Sequence, residues 1–197
     1  MKLKNIIRLY KHRDEAKKLL EALLIRLGNP IEFGSLTGDE VNGLIEWIEK
    51  ISRQADRPLH IVEIGTLFGS TSRQLACIPN TRLTTVDNFS WNPFGLDPVT
   101  HENFTRHLLR GTGIDVVKAD SVDYLAQTKD IGFVFLDGDH SYAAVRDELL
   151  ALTSNNIAHI AGHDWGDERF GVTKAVKEIL GTPDKVIGRC WYKHYVA

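Results

Sequence analysis

The stretch LHIVEIGTLFGST, residues 59–71, combines a short apolar run, two glycines and a hydroxyl-rich helix start. The opening run, LHIVEI, is rich in β-branched residues and predicts a buried strand. Gly65 permits a tight turn after it, and Gly69 lets backbone approach a ligand where the next helix begins. Ser70 and Thr71 place N–H groups and hydroxyls at that helix start, which attracts anions. The stretch therefore predicts the first strand–turn–helix unit of an α/β sheet.

The same alternation continues to the end of the chain. Further strands are predicted over residues 82–86, 114–117, 131–136 and 157–161, with helical patterns over 71–77, 101–110, 122–127, 142–152 and 172–180. The tail predicts two closely spaced strands, 185–189 and 191–196, which is typical of an antiparallel hairpin. Alternating strands and helices indicate a parallel sheet covered on both faces. We therefore predict an α/β fold with a Rossmann-like, seven-stranded, mostly parallel sheet, helices on both faces and an antiparallel C-terminal strand.

Residues 1–56 are predicted to form a helical extension before a domain that spans residues 57–197. Residues 1–27 carry eight basic and three acidic side chains, and leucines recur there at helical spacing. We expect this helix to pack on the main domain or on a sister subunit, so a homodimer through the N-terminal helices is a candidate assembly. The alternative is a helix that binds a membrane surface or an acidic partner. A second helix is expected to start at Thr37 or Asp39.

The composition is that of an ordinary globular protein. The chain has 197 residues, of which 43% are hydrophobic and 25% charged, and its formal net charge is -2. This balance lacks the basic footprint of a nucleic-acid-binding protein, and no apolar run is long enough to span a membrane. The two cysteines, Cys77 and Cys190, cannot form a disulfide framework. We therefore expect a cytoplasmic protein.

Acidic residues stand at the ends of several predicted strands. In a parallel sheet, ligands bind beyond the carboxyl ends of the strands, so the residues that follow each strand are candidates for a site. Glu63, Asp87, Asp137 and Asp164 occupy such positions, and four acids at one edge would repel one another without a cation or hydrogen-bond donors among them. Asp87 follows Gly69 by 18 residues, where an acid can accept the hydroxyls of a ribose.

The first turn departs from the dinucleotide-binding fingerprint Gly-x-Gly-x-x-Gly. Counted from Gly65, that fingerprint needs glycine at two positions where this chain has Leu67 and Ser70. The turn is therefore unsuited to a pyrophosphate and better suited to a carboxylate. S-adenosylmethionine (SAM), a nucleoside with an amino-acid tail, offers a carboxylate for this turn and ribose hydroxyls for Asp87. Glu63 could help to hold its amino group.

Three phrases carry a family resemblance: VEIGTLFGST at 62–71, FLDGDHSY at 135–142 and GHDW at 162–165. With them, the chain resembles class I SAM-dependent methyltransferases, and most of all small-molecule O-methyltransferases of the macrocin and catechol types. The resemblance covers residues 59–197 and implies a seven-stranded sheet whose last strand is antiparallel. It also implies that Asp120 and Ser121 contact the adenine. The predicted cofactor-binding set is then Glu63, Gly65, Thr66, Gly69, Ser70, Asp87, Asp120, Ser121 and Asp137.

The resemblance also bears on a metal. In metal-dependent relatives, the acid that matches Asp137 and an acidic pair after the fifth strand bind a divalent cation such as Mg²⁺ or Mn²⁺. Here that pair reads His163–Asp164. Histidine suits Mn²⁺, Fe²⁺ or Zn²⁺ better than Mg²⁺. Asp137, His163 and Asp164 are therefore candidate metal ligands, and the alternative is that the last two pair with each other or with backbone.

Asp139 and His140 are the candidate catalytic bases. The acid that matches Asp139 is a proposed base in the macrocin-type branch, and an imidazole can accept a proton near neutral pH. The alternative is that both residues only cap the helix that follows.

The loop over residues 89–98 is rich in aromatic residues, proline and glycine. Three exposed aromatic side chains in one loop would need a partner, so we predict a lid in which Trp91 stacks on adenine or acceptor. The alternative is a simple cover over the strand ends.

These observations predict a SAM-dependent O-methyltransferase that acts on a small hydroxylated molecule, such as a sugar or a glycoside. Three alternatives remain: a nicotinamide-dependent oxidoreductase, a methyltransferase for a nitrogen or protein acceptor, and a non-catalytic protein that binds a nucleoside or SAM on the same fold.

Overall fold

The computed structural model describes residues 36–93 and 95–196. The helix predicted within residues 1–27, the dimer contact through it and Phe94 of the predicted lid lie outside these residues. No helix in the described part is both long and apolar enough to cross a membrane. The strands are β1 Leu59–Ile64, β2 Thr81–Asp87, β3 Asp115–Lys118, β4 Phe133–Leu136, β5 His159–Gly162, β6 Lys185–Ile187 and β7 Cys190–His194. The helices are α1 Gly38–Ser52, α2 Ser70–Leu75, α3 Pro98–Leu108, α4 Ser121–Gln127, α5 Tyr142–Ser154 and α6 Val172–Ile179.

The strands form one sheet in the order β3-β2-β1-β4-β5-β7-β6. Strands β1 to β5 are parallel, and β7 runs antiparallel to both β5 and β6. The predicted seven-stranded, mostly parallel sheet with an antiparallel C-terminal strand is confirmed. The chain order reverses between β1 and β4, and this switch point is where open α/β sheets bind ligands.

Alternation along the strands divides the core into two layers. In β1, β2, β4 and β5, even-numbered residues such as Val62 and Val134 pack against α4, α5 and α6. Odd-numbered residues of the same strands, such as Ile61 and Phe135, pack against α1 and α2. Helix α1, which belongs to the predicted extension, buries its apolar face against the sheet. The domain boundary at residue 56 stays a prediction.

Helix α3 begins three residues earlier than the sequence pattern predicts. Asp97 precedes it, and its Oδ1 accepts the backbone N–H groups of Val99 at 3.1 Å and Thr100 at 3.0 Å. Pro98 occupies the first helical turn, where its missing N–H costs nothing. The aspartate cap and the proline therefore set the start of the helix, whereas the apolar spacing alone pointed to residue 101.

Candidate functional site

The turn after β1 lies directly against the loop after β4. Gly65 has a φ of 91°, and a Cβ atom there would lie 2.2 Å from the carbonyl oxygen of Asp137. A side chain at this position would push the two loops apart, so the contact requires glycine. The two loops meet at the switch point between β1 and β4.

Asp87, at the end of β2, holds the same turn by its backbone. Its Oδ2 accepts the N–H groups of Thr66 at 2.9 Å and Leu67 at 3.0 Å, and its Oδ1 accepts the N–H of Phe89 at 2.7 Å. A carboxylate has about four acceptor positions, so this geometry leaves one for a ligand hydroxyl. Asp87 therefore shapes the turn, and its contact with a ribose hydroxyl stays a prediction.

Helix α3 supports the turn from outside. His101 and Thr105 are fully buried, and both contact the carbonyl oxygen of Leu67, through Nε2 at 2.8 Å and through Oγ1 at 2.6 Å. Leu67 has a φ of 47°, which side-chain-bearing residues rarely adopt. The sequence pattern missed the role of Thr105; a pair of polar residues four positions apart on a buried helix face was the available signal.

The remaining predicted residues of the turn are buried or begin the helix. Glu63 is 1% exposed, and its Oε2 accepts the hydroxyls of Ser72 and, at 2.9 Å, of Thr85. Burial raises the pKa of Glu63 to about 7, against the opposing effect of these hydroxyls. Thr66 is buried, Gly69 precedes α2 with a φ of 79°, and Ser70 is its first residue. The placement of Glu63 indicates support of the turn, and its contact with the amino group of SAM stays a prediction.

Asp120 and Ser121 stand at the start of α4. Asp120 caps this helix, since its Oδ1 accepts the N–H groups of Val122 at 2.9 Å and Asp123 at 3.2 Å. The Ser121 hydroxyl opposes the effect of burial on the pKa of Glu148, a buried residue of α5. Burial raises the pKa of Glu148 to about 7, and its Oε2 has no hydrogen-bond partner among the described residues. The predicted contact of Asp120 and Ser121 with adenine stays a prediction.

The ends of β4 and β5 bring the three predicted metal ligands together. Leu136 pairs with Gly162, so the next residues, Asp137 and His163, come side by side on the odd face. His163 Nδ1 lies 3.7 Å from Asp137 Oδ1 and 3.5 Å from Asp164 Oδ2. Candidate ligand atoms of these three residues all lie within 4.8 Å of one another.

This group of residues places one imidazole among carboxylates. Burial raises the pKa of Asp137 well above its ordinary range, and His163 opposes the shift while Asp164 and Glu63 add to it. Burial by itself would lower the pKa of His163, but Asp164, Asp137 and Glu40 outweigh it and raise the pKa. The arrangement is therefore suited to a positive charge, supplied either by the protonated ring or by a cation.

The donor set fits a divalent cation. An ion about 2.1 Å from each ligand atom would hold those atoms about 3.0–3.4 Å apart. The separations of 3.5 and 3.7 Å from His163 Nδ1 to the two carboxylates are slightly wider. One nitrogen and two carboxylate oxygens suit Mn²⁺, Fe²⁺ or Zn²⁺ better than Mg²⁺.

The two candidate bases lie in the loop after β4. His140 Nδ1 is 3.2 Å from Asp164 Oδ2, and its ring packs 4.8 Å from that of Phe170. Burial lowers the pKa of His140, which favours the neutral imidazole at pH 7. Asp139 is exposed, and its Oδ1 accepts the N–H of Ser141 at 2.8 Å. Ser141 itself caps α5, so Asp139 holds the loop next to that cap.

Two charged residues at this end were missed in the sequence. Glu40 of α1 lies 3.4 Å, through Oε1, from His163 Nε2. Arg189, just before β7, lies 3.5 Å from Asp164 Oδ1 and 2.9 Å from Asp167 Oδ2. The only sequence signal for Glu40 is the capping box that it forms with Thr37, which predicts a helix start and no site.

The loop after β2 differs from the predicted lid of three exposed aromatic side chains. Phe89 is fully buried and packs edge-on against His101 at 5.2 Å, so it does not belong to an exposed aromatic lid. A φ of 59° at Phe89 reverses the chain and turns this ring inward. Trp91 is 70% exposed, as predicted for a residue that could cover a ligand.

Comparison with known proteins agrees with this fold and these motifs. A family model described as "Methyltransferase domain" matches residues 62–165, more than half of the chain. No curated protein sequence matches. The O-methyltransferase from Bacillus cereus in complex with SAH is similar in structure, with a TM-score of 0.57 and 15% identity over 83% of this chain and 76% of that chain. A putative O-methyltransferase from Klebsiella pneumoniae has a TM-score of 0.54 and 16% identity over 88% of this chain and 86% of that chain.

The matched residues span β1 to β5 and contain all three phrases that carried the resemblance. The structural likenesses support the same sheet. The alternative function of a nicotinamide-dependent oxidoreductase is therefore excluded. The chain belongs to the methyltransferase-domain family and is a class I SAM-dependent methyltransferase.

Proposed function

We propose that the protein methylates a hydroxyl group of a small molecule, such as a sugar or a glycoside. The observation that carries this proposal is the pairing of His140 with Asp164 at 3.2 Å, in the loop that touches the turn at Gly65. A base oriented by a carboxylate is what a neutral hydroxyl acceptor needs. A cytoplasmic location and a homodimer through the N-terminal helices remain part of the proposal.

The cofactor would lie over the switch point between β1 and β4. The turn from Gly65 to Ser70 would hold its carboxylate end, and the one remaining acceptor position of Asp87 would take a ribose hydroxyl. Asp120 and Ser121 would contact the adenine, with Asp137 beside the donor end. SAM supplies an already activated methyl group, so the protein has to align the acceptor and remove its proton. Alignment of this kind can supply about 7–11 kcal/mol.

His140 is the proposed base. With Nδ1–H donated to Asp164, the Nε2 lone pair is free to accept the proton of the acceptor hydroxyl. A positioned base contributes about a hundred- to ten-thousand-fold in rate. Asp139 is the second proposed base, with one carboxylate oxygen engaged by Ser141.

Asp137, His163 and Asp164 are proposed to hold a divalent cation beside this base. A cation there would polarise the acceptor oxygen and lower its pKa. The mixed nitrogen and oxygen donors favour Mn²⁺, Fe²⁺ or Zn²⁺. Loss of a metal-binding heat in Asp137→Ala would support this assignment.

The first experiment is calorimetric titration with S-adenosylhomocysteine (SAH), with NADH as control and with or without Mn²⁺. We expect SAH to bind and NADH not to bind. Failure of SAH to bind under every condition would refute the cofactor assignment.

The second experiment identifies the acceptor. The protein is incubated with radiolabelled SAM and a panel of sugars, glycosides and catechols, and the products are tested for methyl ethers. Label on an oxygen supports the proposal. Label found only on amines or on proteins would replace it with the nitrogen or protein acceptor, and SAH binding without turnover on any acceptor would favour a non-catalytic role.

A further inference from the structure

Helix α1 brings a buried carboxylate to the odd face of the sheet, next to the ends of β4 and β5. Glu40 is 4% exposed. Its Oε1 accepts the backbone N–H of Arg189 at 2.6 Å, and its Oε2 accepts the backbone N–H of Thr37 at 2.7 Å. Both oxygens are thus anchored by backbone groups, one of which is 149 residues away in the chain. The carboxylate therefore has a defined position.

The ring of His163 lies between this carboxylate and two others. Its Nδ1 faces Asp137 and Asp164, while its Nε2 is 3.4 Å from Glu40 Oε1. Nε2 is buried and makes no hydrogen bond among the described residues. A bare lone pair at Nε2 would face a negative carboxylate and be repelled, whereas an N–H there would be attracted and needs only a small movement to bond.

The two sides of the ring differ in how far their carboxylates are already compensated. Asp164 faces His140 at 3.2 Å and Arg189 at 3.5 Å. Glu40 Oε1 has one backbone N–H. Asp137, the second carboxylate on the Nδ1 side, is the farthest of the three from the ring at 3.7 Å, and Glu40 is the nearest at 3.4 Å. A neutral ring therefore gains more from carrying its proton on Nε2 than on Nδ1.

We propose that Glu40 is a positioning residue that holds His163 as the Nε2–H tautomer and directs the Nδ1 lone pair toward Asp137 and Asp164. The inference deepens the proposed function, because it rests on the cation site proposed there. A carboxylate that accepts the far N–H of a ligating histidine is a common support of metal ligands. Glu40 precedes and Arg189 follows residues 62–165, so the residues that position His163 come from segments on either side of the matched domain.

The test compares metal-free wild type with Glu40→Gln. The two anchoring N–H groups bond different oxygens, and glutamine has a single acceptor oxygen, so the variant loses one anchor. Proton–nitrogen correlation spectra are recorded at rising pH until the His163 ring signals stop changing, where the ring is neutral and the spectra report its tautomer. The His163 signal is assigned by its absence in His163→Asn. We expect the Nε2–H form in wild type and a mixture of tautomers in Glu40→Gln.

Thr37→Ala is the matched control. It removes the capping hydroxyl and weakens the start of α1, but it keeps the Glu40 carboxylate and the backbone N–H that binds it. We expect the control to leave the His163 spectrum unchanged. In calorimetric titration with Mn²⁺, we expect Glu40→Gln to weaken binding by about 10–100-fold and Thr37→Ala to have much less effect.

The outcomes separate this proposal from the proposed function. An unchanged His163 spectrum in Glu40→Gln, or an equal change in Thr37→Ala, would overturn the positioning role. A wild type that binds no Mn²⁺ would overturn the cation site. Neither readout uses SAH or an acceptor, so a protein that binds no SAH but shows the tautomer change keeps the positioning role and loses the proposed function.

Discussion

The two halves of the sheet edge are held together in different ways. The β1–β2 end, residues 65–70 and 87–89, is held mainly by backbone groups: three N–H donors meet Asp87, and a glycine turn rests on a backbone carbonyl. The β4–β5 end, residues 137–140 and 163–165, is held by side-chain charges, with imidazoles and carboxylates in one group. Backbone geometry therefore determines the structure of the β1–β2 end, and protonation of side chains determines the properties of the β4–β5 end. We expect substitutions at the first end to reduce stability and SAH binding, and substitutions at the second end to change the pH dependence of the rate or of the stability.

The largest expected effect is on the rate, at the β4–β5 end. His140→Gln removes the proposed base, so we expect kcat to fall by about a hundred- to ten-thousand-fold, with SAH affinity nearly unchanged. Because burial lowers the pKa of His140, the wild-type rate should fall only as the pH drops through that lowered pKa, when the ring becomes protonated. This acidic limb should disappear in the variant. Steady-state kinetics across pH and SAH calorimetry measure both quantities.

Asp139→Asn is the comparison variant for this prediction. Its exposed carboxylate holds the N–H of Ser141, and the amide oxygen of asparagine can keep that bond. We expect a loss of about ten-fold or less in kcat, below the range for a positioned base. A larger loss in Asp139→Asn than in His140→Gln would transfer the role of base to Asp139.

The second effect tests the shape of the β1–β2 end. Gly65→Ala places a Cβ against the carbonyl of Asp137 in a left-handed backbone conformation, so we expect a loss of on the order of 3 kcal/mol in stability, together with loss of SAH binding. Gly181→Ala is the matched control, since Gly181 has a φ of 78° but open space around its Cβ, and it should cost about 1 kcal/mol. Denaturant unfolding that gives equal losses would show that the contact between the two loops is unimportant.

The smallest expected effect is on the pH dependence of stability, and it tests the role of buried charge near the β4–β5 end. Glu148 lines a small cavity with Asp139 and His140, and burial raises its pKa to about 7, above the ordinary value of 4.5. The folded state thus binds the proton more tightly, and the destabilisation from Glu148 grows as the pH rises from about 4.5 to about 7 and is constant above.

Glu148→Gln removes this penalty. Relative to wild type, the variant should show no gain near pH 4 and a gain of on the order of 2 kcal/mol near pH 8, measured by denaturant unfolding at both values. A gain that is independent of pH would contradict the assignment of the charge to Glu148.

Much of the fold was predictable because its signals are local. Six-residue apolar runs such as β1, followed by glycine and a helix start, predicted strands and crossovers, and the sheet confirmed them. The start of α3 was missed because a cap at Asp97 outweighed apolar spacing. Phe89 was wrongly expected to be exposed, since a left-handed φ that turns a ring inward leaves no mark in composition.

The sequence by itself determined which residues stand at the strand ends and on which face. The period of two along β1, β4 and β5 places Glu63, Asp137 and His163 on the odd face, and the order of the motifs predicted their shared edge. Only the tertiary structure decided that Glu40 and Arg189 complete this group. Their contact joins backbone and side chain across 149 residues, and it depends on how α1 packs over the odd face, which no local pattern encodes.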